Sequence, residues 1–242
     1  MCRFAEGYPE LPLKFPQPRF LSLLLGFLTS IRKTVQHQWS YRILEYHLES
    51  NLYKQQGKIQ NNFQRTLPKK LQQHALNAFK NEYFLNFLNL NENDSEDVLE
   101  NEIVNNIKKF LASLGNEFSF IGNQYRLIID EEEFFIDLLF FHRQLQSLIA
   151  FELKTGKFKP EYAGKMNFYL SMLDDLLKLP HENPSIGIIL CKEKSKTIIE
   201  YAFRDNSKPM GVATYKISEQ LPKQFQKFLP SPETLRKIIK QN

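Results

Sequence analysis

The sequence predicts an α/β fold, a mixed central sheet flanked by helices, from three observations. Between Ser95 and Gly115, Val98, Leu99, Ile103, Val104, Ile107, Phe110, Leu111 and Leu114 recur at helical spacing. From Phe118 to Lys154 the apolar residues fall instead into extended runs, broken by Gly122-Asn123 and by the acidic Asp130 to Glu133. A second helix then precedes two β-rich stretches, and this order of elements packs as helical layers over a mixed sheet.

Composition sets the frame. The 242 residues suffice for one core of about 100 to 150 residues plus an N-terminal appendage. With 42% apolar residues and 21 Phe, burial is not limiting and extensive disorder is not expected. The net charge of +5 suits a polyanionic partner without specifying one. Cys2 and Cys191 do not form a disulfide framework, and a reducing cytoplasm fits them best. The apolar run Phe20 to Leu28 is too short for a bilayer and lacks an Ala-x-Ala cleavage signature, so no membrane association is expected.

In chain order, Pro9, Pro12, Pro16 and Pro18 keep the first residues irregular. Trp39 to Gln56 reads as a helix through Trp39, Ile43, Leu44, Leu48 and Leu52, and shorter helical stretches follow at Lys69 to Lys80 and Tyr83 to Leu88. The Asn-rich NLNENDS break leads to Ser95 as N-cap of one long helix. Strands are expected at Phe118 to Ile121, Tyr125 to Ile129, Phe134 to Phe141 and Ser147 to Lys154. A helix over Glu161 to Leu179 follows, then β-rich Ser185 to Leu190, Thr197 to Phe203 and Val212 to Ile217, and a helical tail.

The chemistry concentrates around Asp137, a lone acid within FFIDLLFF. A carboxylate there is costly unless a cation or hydrogen-bond donors meet it. Strand alternation puts Ala150, Glu152 and Lys154 on one face, with Ile149, Phe151 and Leu153 on the other. If the two strands pair, Asp137 and Glu152 can share a hard divalent ion such as Mg²⁺, with Lys154 beside them. On the long helix, at about 100° per residue, Glu96 and Glu100 fall in the apolar arc. Glu100 is the expected acid to reach the sheet, and Glu96 is assigned to the helix N-terminus. Lys157, Lys159 and Lys165 interleave with Phe158, Tyr162 and Phe168 as a basic edge for phosphates; the plainer reading makes the aromatics core and the lysines a solvated face. The five histidines show no paired metal spacing.

An apolar-flanked Asp followed by Glu-x-Lys is the pattern of the PD-(D/E)XK nuclease superfamily. The segments FFIDLLFFHRQL, IAFELKTGKFKPEYAGKMNFYL, ENPSIGIILCKEK, IIEYAFRD and KPMGVATYKI resemble the C-terminal domain of its YhcG-type family. The resemblance runs from about Tyr83 to the end and implies a restriction-endonuclease-like domain over residues 81–242. It implies Asp137, Glu152 and Lys154 as the catalytic set, with Mg²⁺ or Mn²⁺ as cofactor, and Glu100 as the matching helix acid and a further metal ligand. Gln124 matches a Gln of the family pattern, in a supporting role. DNA is the implied substrate, cut as part of bacterial DNA metabolism or defence, and a homodimer is the expected assembly.

Residues 1–80 form the expected helical N-terminal segment. MCRFAEGYPE and Gln38 to Gln55 resemble pieces of the family's N-terminal region, whereas the intervening LPLKFPQPRFLSLLLGFLTSIRKTVQ does not. A truncated or frame-shifted domain and a divergent insertion both account for that. The competing functional reading is a module that keeps the fold without cutting, with Asp137 and Lys154 as a buried ion pair.

Overall fold

Hydrophobic periodicity turns into seven strands and six helices in the computed structural model, which describes residues 58–91 and 94–217. In chain order these are β1 (Gln60–Asn61), α1 (Phe63–Thr66), α2 (Lys69–Ala78), β2 (Glu82–Phe84), α3 (Glu96–Asn105), α4 (Ile107–Leu114), β3 (Phe118–Ile129), β4 (Glu132–His142), β5 (Ser147–Leu153), α5 (Glu161–Leu176), β6 (Ile186–Cys191), α6 (Lys196–Phe203) and β7 (Met210–Lys216). The strands form one mixed sheet in the order β1-β7-β6-β5-β4-β3, with β2 also on β7. The mixed α/β class expected from the sequence is observed.

The sheet has two halves. β3, β4 and β5 form an antiparallel meander; β3 and β4 are joined by Asp130-Glu131, both at left-handed φ (49° and 67°), as a tight primed hairpin turn needs. β5, β6 and β7 run parallel, so each step needs a crossover, and α5 and α6 supply them. β5 and β6 are buried along their whole length, as expected for strands covered on both faces. At Gly187 of β6 a Cβ would lie 2.4 Å from the Met166 side chain of α5, so the glycine permits the close approach of that helix.

Each sheet face has its own core. On one, Leu99, Ile103 and Phe110 of α3 and α4 pack on Leu138, Phe140, Ile149, Phe151 and Leu153, joined by Ile59, Phe63, Phe79 and Tyr83 from the start of the described chain. On the other, Met166, Leu170 and Leu173 of α5 and Ile199 and Phe203 of α6 cover Leu148, Ala150, Ile189 and Val212.

Four expected elements come out differently. The long helix is two, because Asn106 leaves helical geometry (φ −111°, ψ 26°) while its Nδ2 donates to the Glu102 carbonyl at 3.0 Å, a local side-chain bond that competes with the helix. The two short strands after Phe118 are one, β3, with a register shift between Phe120 and Gly122 that absorbs the Gly-Asn pair. Tyr83 to Leu88 is not helical: Glu82–Phe84 pairs parallel with β7, burying Tyr83. Thr197 to Phe203 belongs to a helix rather than a strand. Its β-branched residues read as β, but Ile199 and Phe203 sit one turn apart on its buried face, and the parallel β6–β7 pair requires a crossover there. The expected Trp39 to Gln56 helix, the Phe20 to Leu28 run and the C-terminal helical tail lie outside the described residues. Among the described residues no helix is long and apolar enough to cross a membrane.

Candidate active site

Pairing of β4 with β5 brings the two sheet carboxylates together. Leu138 is registered with Phe151, so Asp137 and Glu152 follow as the next positions along the two strands. Asp137 Oδ2 accepts the Leu153 backbone N–H at 2.6 Å. Burial, then the nearby Glu152 charge, pushes the Asp137 carboxyl up to about 7 from an ordinary 3.8; the Leu153 N–H, Lys154 and Lys165 pull the other way without prevailing.

Glu152 projects from a fully buried strand and is itself 1% exposed. Its Oε1 receives two ammonium groups, Lys154 Nζ at 3.0 Å and Lys165 Nζ at 2.5 Å. Its Oε2 is buried with no hydrogen-bond partner among the described residues. Lys154 Nζ also donates to Glu96 Oε2 at 2.6 Å and lies 5.2 Å from the centre of the Tyr162 ring. Burial alone would lower the Lys154 pKa, but its contacts with Glu96 and Glu152 outweigh burial and hold it above the ordinary lysine range. The group therefore stays charged through neutral pH.

Both helix acids meet groups of the sheet. Glu96, in the first turn of α3, reaches Lys154. Glu100, one turn on and buried, faces β3 instead: Asn123 Nδ2 donates to its Oε1 at 3.0 Å and Gln124 Nε2 to its Oε2. Gln124 has a left-handed backbone (φ 43°), uncommon for a side chain of its size, and it is the residue the Glu100 carboxylate holds. Asp137 and Lys154 do not form the direct ion pair of the competing reading, since Lys154 is occupied by Glu96 and Glu152.

The basic edge divides. Lys157 pairs with Glu193, just after β6, at 3.0 Å, and Lys159 with Glu161, at the start of α5, at 3.9 Å, all four well exposed. Lys165, from α5, turns into the site. Phe158 is core, in edge-on contact with Tyr162 and Phe203, while Phe168 stays partly exposed against Phe134. His142, pushed down to about 4 by burial, accepts the Leu145 N–H on Nδ1 and packs edge-on to Phe118, a structural role.

Residues 76–230 match the family described as "YhcG PDDEXK nuclease domain". The chain belongs to this nuclease family. A relative described as "Putative nuclease YhcG", from Escherichia coli (strain K12), is 36% identical over 204 residues, 79% of this chain and 51% of that protein. The chain thus spans about half the length of the curated relative it matches. A solved structure, a repair endonuclease from Pyrococcus abyssi, aligns with a TM-score of 0.35 at 15% identity over 55% of this chain and 50% of its own.

PD-(D/E)XK sites are associated with divalent metals, and the donor set here has the chemistry for one. Asp137 and Glu152 offer hard oxygens, and Glu152 Oε2 is a buried acceptor with no donor among the described residues. Among those residues no three Asp, Glu, His or Cys side chains converge on one point, and Glu100 stays with Asn123 and Gln124. A two-carboxylate site suits Mg²⁺, which keeps several waters, better than an ion that needs a full protein cage.

Two contributions escaped the sequence. Glu96 and Glu100 share one helical arc, and nothing in that pattern says which turn lies over the sheet. Lys165 reads as part of a basic edge, yet Tyr169 follows it at i+4, and the ammonium lies 5.1 Å from the centre of that buried ring on the side of Glu152.

Proposed function

We propose that the chain is a metal-dependent endonuclease that hydrolyses phosphodiester bonds of DNA, acting in bacterial DNA metabolism or defence, in the cytoplasm and as a homodimer. The observation that supports this best is the pairing of Asp137 with Glu152, one of whose buried oxygens is unpartnered, next to a lysine held charged. Mg²⁺ or Mn²⁺, which Asp137 and Glu152 would hold, would supply Lewis acidity at the phosphate and ease ionisation of water.

The protein's own groups do the rest. Lys154, kept protonated by Glu96, is a hydrogen-bond donor to charge developing on phosphate oxygens and is unsuited to act as a base. Glu96 fixes its position. Glu100 and Gln124 brace β3 beside Asp137, a supporting task. Lys157 and Lys159, both exposed, are placed to meet flanking phosphates, and Lys165 lies closer to the reacting centre.

Supercoiled plasmid and branched DNA, incubated with Mg²⁺ or Mn²⁺, should be cut by the wild type and left intact by a folded Glu152→Ala/Lys154→Ala double variant. Folded Asp137→Ala protein should lose metal binding; retained metal affinity would sink the proposed coordination. One observation favours a second reading, a nucleic-acid-binding module without catalysis: Glu152 is already neutralised by two lysines and needs no metal. Salt-sensitive DNA binding with no cutting by either protein would select it.

A further inference from the structure

Glu152 has an unequal pair of partners. Lys154 is fixed: its side chain is only 9% exposed, it is shared with Glu96, and it follows Glu152 by two residues on the same stretch of chain. Lys165 is not: its side chain is 43% exposed, it comes from α5, and apart from Glu152 its close neighbour is the Tyr169 ring, 5.1 Å away. Its long aliphatic stem lets the ammonium leave for solvent while the stem stays packed.

A divalent cation arriving at the carboxylates would meet both ammonium groups within hydrogen-bond reach of one Glu152 oxygen, and like charges that close repel. Both ammonium groups sit on Oε1, so a cation taking the unpartnered Oε2 would lie beside them, and the repulsion is relieved when one of the two moves away. Lys154 is held by two carboxylates, Glu96 and Glu152, and Lys165 by Glu152 alone.

We propose that Lys165 is a positioning residue that acts as a resident counter-charge, holding Glu152 in place in the metal-free protein, yielding it to the divalent cation, and then becoming available to a phosphate of the nucleic acid. This deepens the metal-dependent reading and rests on it. Lys165 has two successive partners of the same sign, a carboxylate and then a phosphate, so its charge is never left bare. The same exchange keeps Glu152 neutralised whether or not metal is present, so a buried carboxylate on an otherwise apolar strand does not destabilise the free protein.

The test is Mn²⁺ binding to the whole chain, followed by calorimetry and by the electron paramagnetic resonance signal of free Mn²⁺, for wild type, Lys165→Met and Lys165→Arg. Lys165→Met should bind Mn²⁺ more tightly by on the order of tenfold, the scale of one charge-assisted hydrogen bond no longer competing. Lys165→Arg should return to near wild-type affinity. Amine acylation read by mass spectrometry should show Lys165 of the wild type reacting faster once Mg²⁺ is added, with Lys154 unchanged. Equal or weaker Mn²⁺ binding by folded Lys165→Met, with the wild type still binding, overturns the proposal and leaves the metal-dependent reading standing. Absence of Mn²⁺ binding by all three proteins overturns both.

Discussion

The two faces of β5 carry different burdens. Ile149, Phe151 and Leu153 meet a wholly apolar layer in which Phe110, Phe140 and Phe151 lie 5.5 to 6.1 Å apart, ring to ring. Ala150 and Glu152 point to the α5 side, where the same strand ends in a charged cluster. Stability and chemistry are thus separated by a single residue step, and substitutions on the two faces should fail in different ways.

The largest effect is expected on the charged face. Lys154→Met should slow cleavage by on the order of a hundredfold to a thousandfold, the scale of one lost transition-state donor, measured under single-turnover conditions. Its circular dichroism should stay that of the wild type. Opposite it, Phe151→Ala should cost roughly 3 to 5 kcal/mol in urea unfolding, as for other emptied aromatic sites, while protein that remains folded keeps its metal affinity. If Phe151→Ala abolished metal binding in the folded state, the separation of the two faces would be wrong.

Smaller effects sharpen the contrast. Gly187→Val adds branched carbons where even a Cβ would lie 2.4 Å from the Met166 side chain, and should cost about 1 to 3 kcal/mol by overpacking. On pH, Asp137 and His142 act in opposite senses. The folded chain keeps the Asp137 proton that the unfolded chain releases near 3.8, so this contribution is full below that pH and is lost as pH rises through about 7. Burial holds His142 neutral down to about 4 against an ordinary 6.5, so its contribution is present above 6.5 and lost as pH falls through 4. The two oppose between about 4 and 6.5. Asp137→Asn should remove the first alone, so that metal-free stability rises over that range and no longer falls between 6.5 and 7, as followed by thermal melts. Least affected should be Lys157→Ala with Lys159→Ala: nearly unchanged stability, as for exposed ion pairs, with the slope of DNA affinity against salt reduced by about one per lysine removed.

The sheet segments that frame the site were legible as short apolar, aromatic-rich runs bounded by turn residues. Alternation gives the face of Glu152, and its meeting with Asp137 follows only once the two strands pair, as they do. Thr197 to Phe203 was misread because β-branched residues favour strands locally, while the four-residue spacing of Ile199 and Phe203 and the crossover that parallel β6 and β7 require both favour a helix. Tyr83 failed in the reverse sense, with a short strand recruited by β7 from residues of helical spacing. Which sheet groups Glu96 and Glu100 each meet depends on where α3 begins over the sheet, a tertiary distance that no helical wheel contains.

The meander that carries Asp137, Glu152 and Lys154 leaves the ribosome before β6 and β7 exist. Until Ile186–Cys191 is made, β5 is an open edge, and SLIAFEL, with one charge in seven residues, is the kind of strand that pairs with a neighbouring chain. Lys154, Lys157 and Lys159 follow it directly, and in the nascent chain they act as charged gatekeepers at the end of an apolar strand. The lysines proposed for the finished site are thus also placed to guard its unfinished edge.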